Sequence, residues 1–173
     1  MTAKIRQLPT YVLNSVPKKP ILRQIPTYVL HGKDGPLPRG VSGKQGVFNM
    51  IKEQALRELG LGDLVFGLPE TTTEHGCNTR VLVSGTYGTG ILGELYFYYN
   101  RAEMKRIYLS RSFTRNGLVT AHELVGQLSI ASGLVLVEND FVNTSYANGR
   151  ITLIAATTSY FFQPGTSLEV VLG

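Results

Sequence analysis

An eleven-residue peptide is written twice near the start of this chain, and proline constrains its shape both times. Residues 5–15 read Ile-Arg-Gln-Leu-Pro-Thr-Tyr-Val-Leu-Asn-Ser, and residues 22–32 read Leu-Arg-Gln-Ile-Pro-Thr-Tyr-Val-Leu-His-Gly; seven of eleven positions are identical and the offset is 17. Pro9 and Pro26 fix their own φ and push Leu8 and Ile25 into extended backbone. Thr-Tyr-Val-Leu is β-branched, aromatic and apolar, which favours a strand. Between the copies, Val16-Pro17-Lys18-Lys19-Pro20 makes a stiff, hydrated spacer. Lys33-Asp34-Gly35-Pro36-Leu37-Pro38-Arg39-Gly40 follows as a turn-rich linker. So short a strand cannot bury two faces by itself, so each copy needs a neighbour. Either both strands join the protein's own sheet, or each is a linear motif that adds a strand to a partner's sheet edge. In the second case the spacer makes the second docking event intramolecular. Two equivalent sites up to roughly 55 Å apart are then within reach, at about 3.3 Å per residue.

Charge separates this arm from the rest. Residues 1–44 hold eight Lys/Arg and one acid, a net +7, whereas residues 45–173 hold nine Lys/Arg and eleven Asp/Glu, a net −2. A basic tail of this kind suits an acidic partner, either protein or nucleic acid. Each motif copy carries one basic residue, Arg6 or Arg23, and its shared positions are mostly apolar. That favours protein contact. Tyr11 and Tyr28 are the expected anchors, because buried aromatics dominate interface energy. Pro9, Val12 and Leu13 flank the first, and Pro26, Val29 and Leu30 the second. Arg6 and Arg23 would pair with partner carboxylates.

The remaining chain reads as two similar halves. Val47, Phe48, Ile51, Ala55 and Leu59 fall on one face of a predicted helix over residues 45–60. A second predicted helix spans 120–133, with Thr120 and Glu123 as a capping box, Leu124, Val125, Leu128 and Ala131 as its stripe, and Gly133 as its stop. Short extended pieces follow, Asp63-Leu64-Val65 and Asp140-Phe141-Val142. Period-two alternation then predicts strands at 78–83 and 94–98, matched by 148–153 and 167–171. Arg106-Ile107-Tyr108-Leu109 is a further strand candidate. The expected fold is α+β, two pseudo-repeated helix-plus-antiparallel-strand lobes behind a long extended arm. The expected boundaries are 1–44, 45–117 and 118–173.

The order of amphipathic helix, Gly-Leu, short Asp-x-Val strand, Asn78 to Val83 and Gly93 to Arg101 resembles small virion proteins of tailed bacteriophages. Asn148 to Leu153 and Gly165 to Leu172 resemble the same unit without its Tyr-Asn-Arg ending. The likeness covers residues 45–173. It implies a structural protein of the particle, made in the host bacterial cytoplasm and present in many copies. Its partners would be other virion proteins, a symmetric oligomer with repeated equivalent sites among them.

The chemistry-bearing residues point away from catalysis. Gly85-Thr86-Tyr87-Gly88-Thr89-Gly90 lacks the Gly-Lys-Ser/Thr ending of a phosphate loop and lies between two strands, where a hairpin turn is expected. His75 and Cys77 are close, but zinc needs three or four ligands. His31 and His122 are isolated in sequence, and His122 is expected to face solvent. No Gly-x-Ser-x-Gly elbow exists. Glu70, Glu74, Glu138 and Asp140 read as unpaired loop acids. Tyr96, Tyr98 and Tyr99 beside Arg101 could stack nucleic-acid bases, but core or subunit contact fits strand alternation better. The single cysteine excludes an internal disulfide. Nothing resembles a signal peptide or a membrane span. These residues predict a non-enzymatic assembly protein with no cofactor, no small-molecule substrate and no membrane contact, and the resemblance implies that it is a neck, tail or baseplate component. The alternatives are a capsid decoration protein and a nucleic-acid binder using the basic arm.

Overall fold

The computed structural model describes residues 40–55, 58–91, 93–107 and 112–173. The fold is α+β, with two hydrophobic cores. The duplicated motif lies outside the described residues.

The first lobe opens with α1 (Gly43–Gln54), capped by the Ser42 hydroxyl, which accepts from the Gln45 amide. Val47, Phe48 and Ile51 are buried on one helix face as the spacing requires. The helix is shorter than its apolar pattern suggests: Ala55 is already extended. Leu59 still reaches the core, but from the connection and not from a helix face. A one-turn 3-10 segment, Leu61–Asp63, leads into β1 (Leu64–Phe66). β2 (Glu70–Thr71), β3 (Thr79–Gly85) and β4 (Glu94–Tyr99) follow. β3 is the central strand, with β4 on one side and β1 and β2 on the other, all antiparallel. The glycine-rich stretch joins β3 to β4, as expected of a hairpin connection.

The chain then crosses over. Residues 104–107 form a short helix, α2 (Met104–Ile107), where a strand was expected at Arg106 and Ile107; Tyr108 and Leu109 lie outside the described residues. Met104 is fully buried in the second core, and β5 (Ser112–Phe113) pairs with the second sheet. Both therefore pack with the second lobe although they precede residue 118.

In the second lobe the capping box closes a turn at 120–124 rather than the helix itself. The Glu123 carboxylate accepts from the Val119 and Thr120 amides at 2.7 and 2.9 Å. α3 (Val125–Ser132) ends at Gly133, whose φ of 71° is the left-handed cap predicted there. Ala121, Leu124, Val125, Leu128 and Ser132 are buried, whereas Ala131 is exposed. The stripe is rotated by one residue because Ser132 can enter the core by returning its hydroxyl to the Leu128 carbonyl at 2.8 Å. β6 (Phe141–Val142), β7 (Arg150–Ala155) and β8 (Ser167–Leu172) complete a sheet of order β5-β8-β7-β6. Only β5, parallel to β8, departs from antiparallel pairing.

The halves correspond in register. Asp63 and Asp140 each end a 3-10 turn, accepting from the Gly60 and Val137 amides at 2.8 and 2.9 Å. Their carbonyls accept from the Thr86 and Ala156 amides. Leu64 faces Gly85 as Phe141 faces Ala155, and Val83 faces Leu95 as Leu153 faces Leu168.

Candidate functional site

Two groups of polar side chains stand out, one buried between the lobes and one on an open sheet face. The buried group centres on Arg101, only 3 % exposed. Its guanidinium donates to the Thr79 hydroxyl at 2.7 Å and to the Ser159 and Thr157 carbonyls at 2.9 and 3.1 Å, with a longer bond to the Thr71 hydroxyl at 3.4 Å. β2 and β3 of one lobe are thus joined to the 157–159 loop of the other. Burial lowers the Arg101 pKa from its ordinary value, because the charged form is desolvated. The amide of Arg101 donates to the Asn78 side-chain carbonyl, the Asn78 amide group donates to the Arg101 carbonyl, and the Asn100 side-chain carbonyl accepts from the Asn78 backbone amide. Asn-Arg at the end of β4 is therefore the lobe joint.

Other bonds complete it. Asp140, 4 % exposed, accepts from the Ser159 hydroxyl at 2.7 Å. Burial raises its pKa, partly offset by the Val137 amide and Ser159 hydroxyl. The Ser159 hydroxyl in turn accepts from the Phe161 and Phe162 amides. Tyr160 crosses to the first lobe and donates to the Gly67 carbonyl at 2.7 Å. Gly43 shows how close the lobes come: a Cβ there would lie 2.6 Å from the Tyr160 Cβ. Asp140 is a buried structural acid, not a loop acid.

The open group lies on the face of the first sheet away from its core. Arg80 pairs with Glu70 at 2.9 Å and approaches Glu74 at 3.6 Å. It stacks over Tyr96, 4.4 Å from the ring centroid. Tyr98 donates to Glu74 at 2.6 Å, and His75 meets the Tyr98 ring edge-on at 4.6 Å. Tyr98's hydroxyl holds Glu74 below its ordinary pKa, and Glu74 raises that of Tyr98. Glu70 raises that of Arg80. Glu70 and Glu74 are thus tied into one ion-pair network by β-strand register, since Arg80 faces Glu70 on β2 and Tyr98 on β4. Phe97 and Tyr99, on the opposite face of β4, fill the first core. The tyrosines therefore divide between core and outer face, and Tyr96 already has a cation over its ring.

The other flagged residues scatter. Cys77 is buried, which pushes its thiol pKa up, and His75 is beside Tyr98. His122 is half-buried rather than solvent-facing. Its Nε2 lies 3.0 Å from the Phe141 carbonyl and its Nδ1 3.9 Å from Glu138, on the rim of a shallow cleft lined by Val125, Leu136 and Val137. Among the described residues no group of three or more His, Cys, Asp or Glu could hold a metal ion. None of their helices is long and apolar enough to cross a membrane. The predicted docking residues Arg6, Pro9, Tyr11, Val12, Leu13, Arg23, Pro26, Tyr28, Val29 and Leu30, with His31, lie outside the described residues. Arg101 was visible in the sequence only as a neighbour of tyrosines, because its partners are 22 to 58 positions away.

The body has a family. A model for a family of unknown function, DUF7941, matches residues 38–173. This chain belongs to the DUF7941 family. The match takes in both lobes and begins inside the linker, so the duplicated motif precedes the DUF7941 region. No curated protein and no solved structure matches.

Proposed function

We propose that the chain is a non-enzymatic assembly protein of a tailed-phage particle, a neck, tail or baseplate component, and that its duplicated arm docks on neighbouring subunits. The observation that carries this reading is the motif itself, seven identical positions in eleven, twice within 32 residues. Duplication of an apolar, proline-initiated strand segment serves repeated sites on protein better than it serves chemistry. The body supports the reading as a stiff block. Arg101, Ser159 and Asp140 are engaged in the lobe joint, and Arg80, Glu70 and Glu74 in ion pairs on the sheet face. The particle assignment rests on the likeness of residues 45–173 to small virion proteins.

Tyr11→Ala with Tyr28→Ala tests it. In particles produced with this double variant, quantitative mass spectrometry of the purified particle should show its incorporation reduced at least tenfold, with the circular dichroism of the body unchanged. Normal incorporation would sink the docking idea. The basic arm gives one specific reason to check nucleic acid as well. A filter-binding titration at two salt concentrations would then show log affinity falling with a slope of roughly −7 if all eight arm cations met phosphates. Salt-insensitive or absent binding is expected.

A further inference from the structure

Among the described residues the two lobes differ at one sheet edge. In the second lobe the outward edge of β8 is covered by β5, with Ser112 opposite Val171 and Phe113 opposite Leu172 in parallel. The Gly173 amide donates to the Phe113 carbonyl at 3.1 Å and the Arg115 amide to the Gly173 carbonyl at 3.0 Å, tying the pair down. β4 is the counterpart of β8, and Tyr98, opposite Arg80, occupies the place that Val171 holds opposite Arg150. The Gly67 amide donates to the Leu82 carbonyl, and the Thr86 amide to the Asp63 carbonyl. Even-numbered residues of β3 therefore present their backbone to β1, and odd-numbered ones to β4. It follows that the backbone groups of Tyr96 and Tyr98 point away from β3. Among the described residues no backbone bond reaches them.

β5 is the stretch laid down just before the helix of its own lobe. The corresponding stretch before α1 is the arm. The sequences agree on this placement. β5 begins twelve positions before Leu124, which precedes α3, and Leu30 stands twelve positions before Ser42, which precedes α1. We infer that residues 27–31, in the second motif copy, pair in parallel with β4 of their own chain, as β5 pairs with β8. The first copy is then the one left to dock on a partner's sheet edge. This rests on reading the motif as a strand-adding peptide.

The geometry and charge permit it. The chain takes ten steps from Leu30 to Gly40, a reach of up to about 33 Å. A strand here places alternate side chains beside Phe97 on the core face and beside Tyr96 on the outer face, which suits an apolar segment on both sides. Exposed Glu94 begins β4, and Glu70 and Glu74 outnumber Arg80 on its outer face, which leaves a net negative charge where the arm is basic. An uncovered β4 would be an aggregation-prone edge.

Amide exchange on the full chain tests it. The Tyr96 and Tyr98 amides are expected to be protected at least 100-fold at every protein concentration. Tyr28→Pro with Val29→Pro should cut that protection at least tenfold, while Tyr11→Pro with Val12→Pro should leave it unchanged. The Val170 amide, held by β7, serves as the folding control and should not move in either variant. Unprotected Tyr96 and Tyr98 amides in the native chain would overturn the inference. An equal effect of both variants would also overturn it, as would protection lost on dilution, which would place the strand on a second copy. Particle incorporation separates the two readings. If the first-copy variant fails to incorporate while β4 is unprotected, the motif docks and only this assignment is wrong. If neither variant affects incorporation, the docking function itself fails, whatever β4 shows.

Discussion

Removing the Arg101 guanidinium should uncouple the two lobes. Arg101→Ala strands the Thr157 and Ser159 carbonyls in a site that is 3 % exposed and removes the donor to the Thr79 hydroxyl, which keeps its bond to Asn78. A buried acceptor left unmade costs about 1–3 kcal/mol, and deleting the packed stem adds about 1–2 kcal/mol of cavity cost. Against this, the variant no longer desolvates a cation, a gain of several kcal/mol. The net expectation is a loss of about 3 kcal/mol. For a chain of this size that lowers Tm by roughly 6–12 °C. Arg101→Met keeps most of the stem and should lose about 2 kcal/mol. Urea denaturation followed by far-UV circular dichroism and tyrosine fluorescence measures both. The wild type should unfold in one transition, and Arg101→Ala in two, as the cores separate. A single transition with a change under about 0.5 kcal/mol would refute the view that this guanidinium joins the lobes.

Two more outcomes follow from individual groups. Glu74 and Glu123 both titrate below the usual carboxylate value of 4.5, Glu74 because of the Tyr98 hydroxyl and Glu123 because of the Val119 and Thr120 amides. Folded pKa values below the unfolded one give stability that is present above about pH 4.5 and lost as pH falls through the folded values. Glu123→Gln should therefore flatten the acid limb of a denaturation-midpoint profile, and an unchanged slope would contradict the assignment. Tyr99 is 2 % exposed and its hydroxyl has no hydrogen-bond partner among the described residues, while burial drives its pKa far upward. Tyr99→Phe should raise stability by about 1 kcal/mol in urea titration, since the lost group was unsatisfied; a loss of that size would mean the hydroxyl is bonded.

Much of the body was legible because periodicity is local. Val47, Phe48 and Ile51, and then Leu124, Val125 and Leu128, declare one helix face each. The strands expected at 78–83 and 94–98, and at 148–153 and 167–171, were readable from alternation and pair antiparallel in the structure, although β7 starts only at Arg150 because Asn148 and Gly149 turn with φ of 50° and 81°. The failures are local signals overruled from a distance. Residues 55–60 continue a helical apolar pattern, yet Leu59 is buried from the connection after α1. Arg106 and Ile107 look like a strand, yet the crossover after Arg101 winds them into a short helix. Ala131 fits the apolar stripe, yet Ser132 takes the buried position because its hydroxyl returns to the Leu128 carbonyl. Nothing in the spacing of His122 announced the Phe141 carbonyl.

By itself, the sequence determined that an arm with one motif written twice precedes a body of two like halves, since repeats, proline and charge need no third dimension to be read. What only the tertiary structure decided is the joint and the open edge. Arg101 finds its acceptors across up to 58 positions of chain, and β8 carries β5 on its outward edge where, among the described residues, no backbone bond reaches Tyr96 and Tyr98 of β4. Both depend on which segments folding brings side by side, and that is set by the packing of two cores rather than by any run of residues.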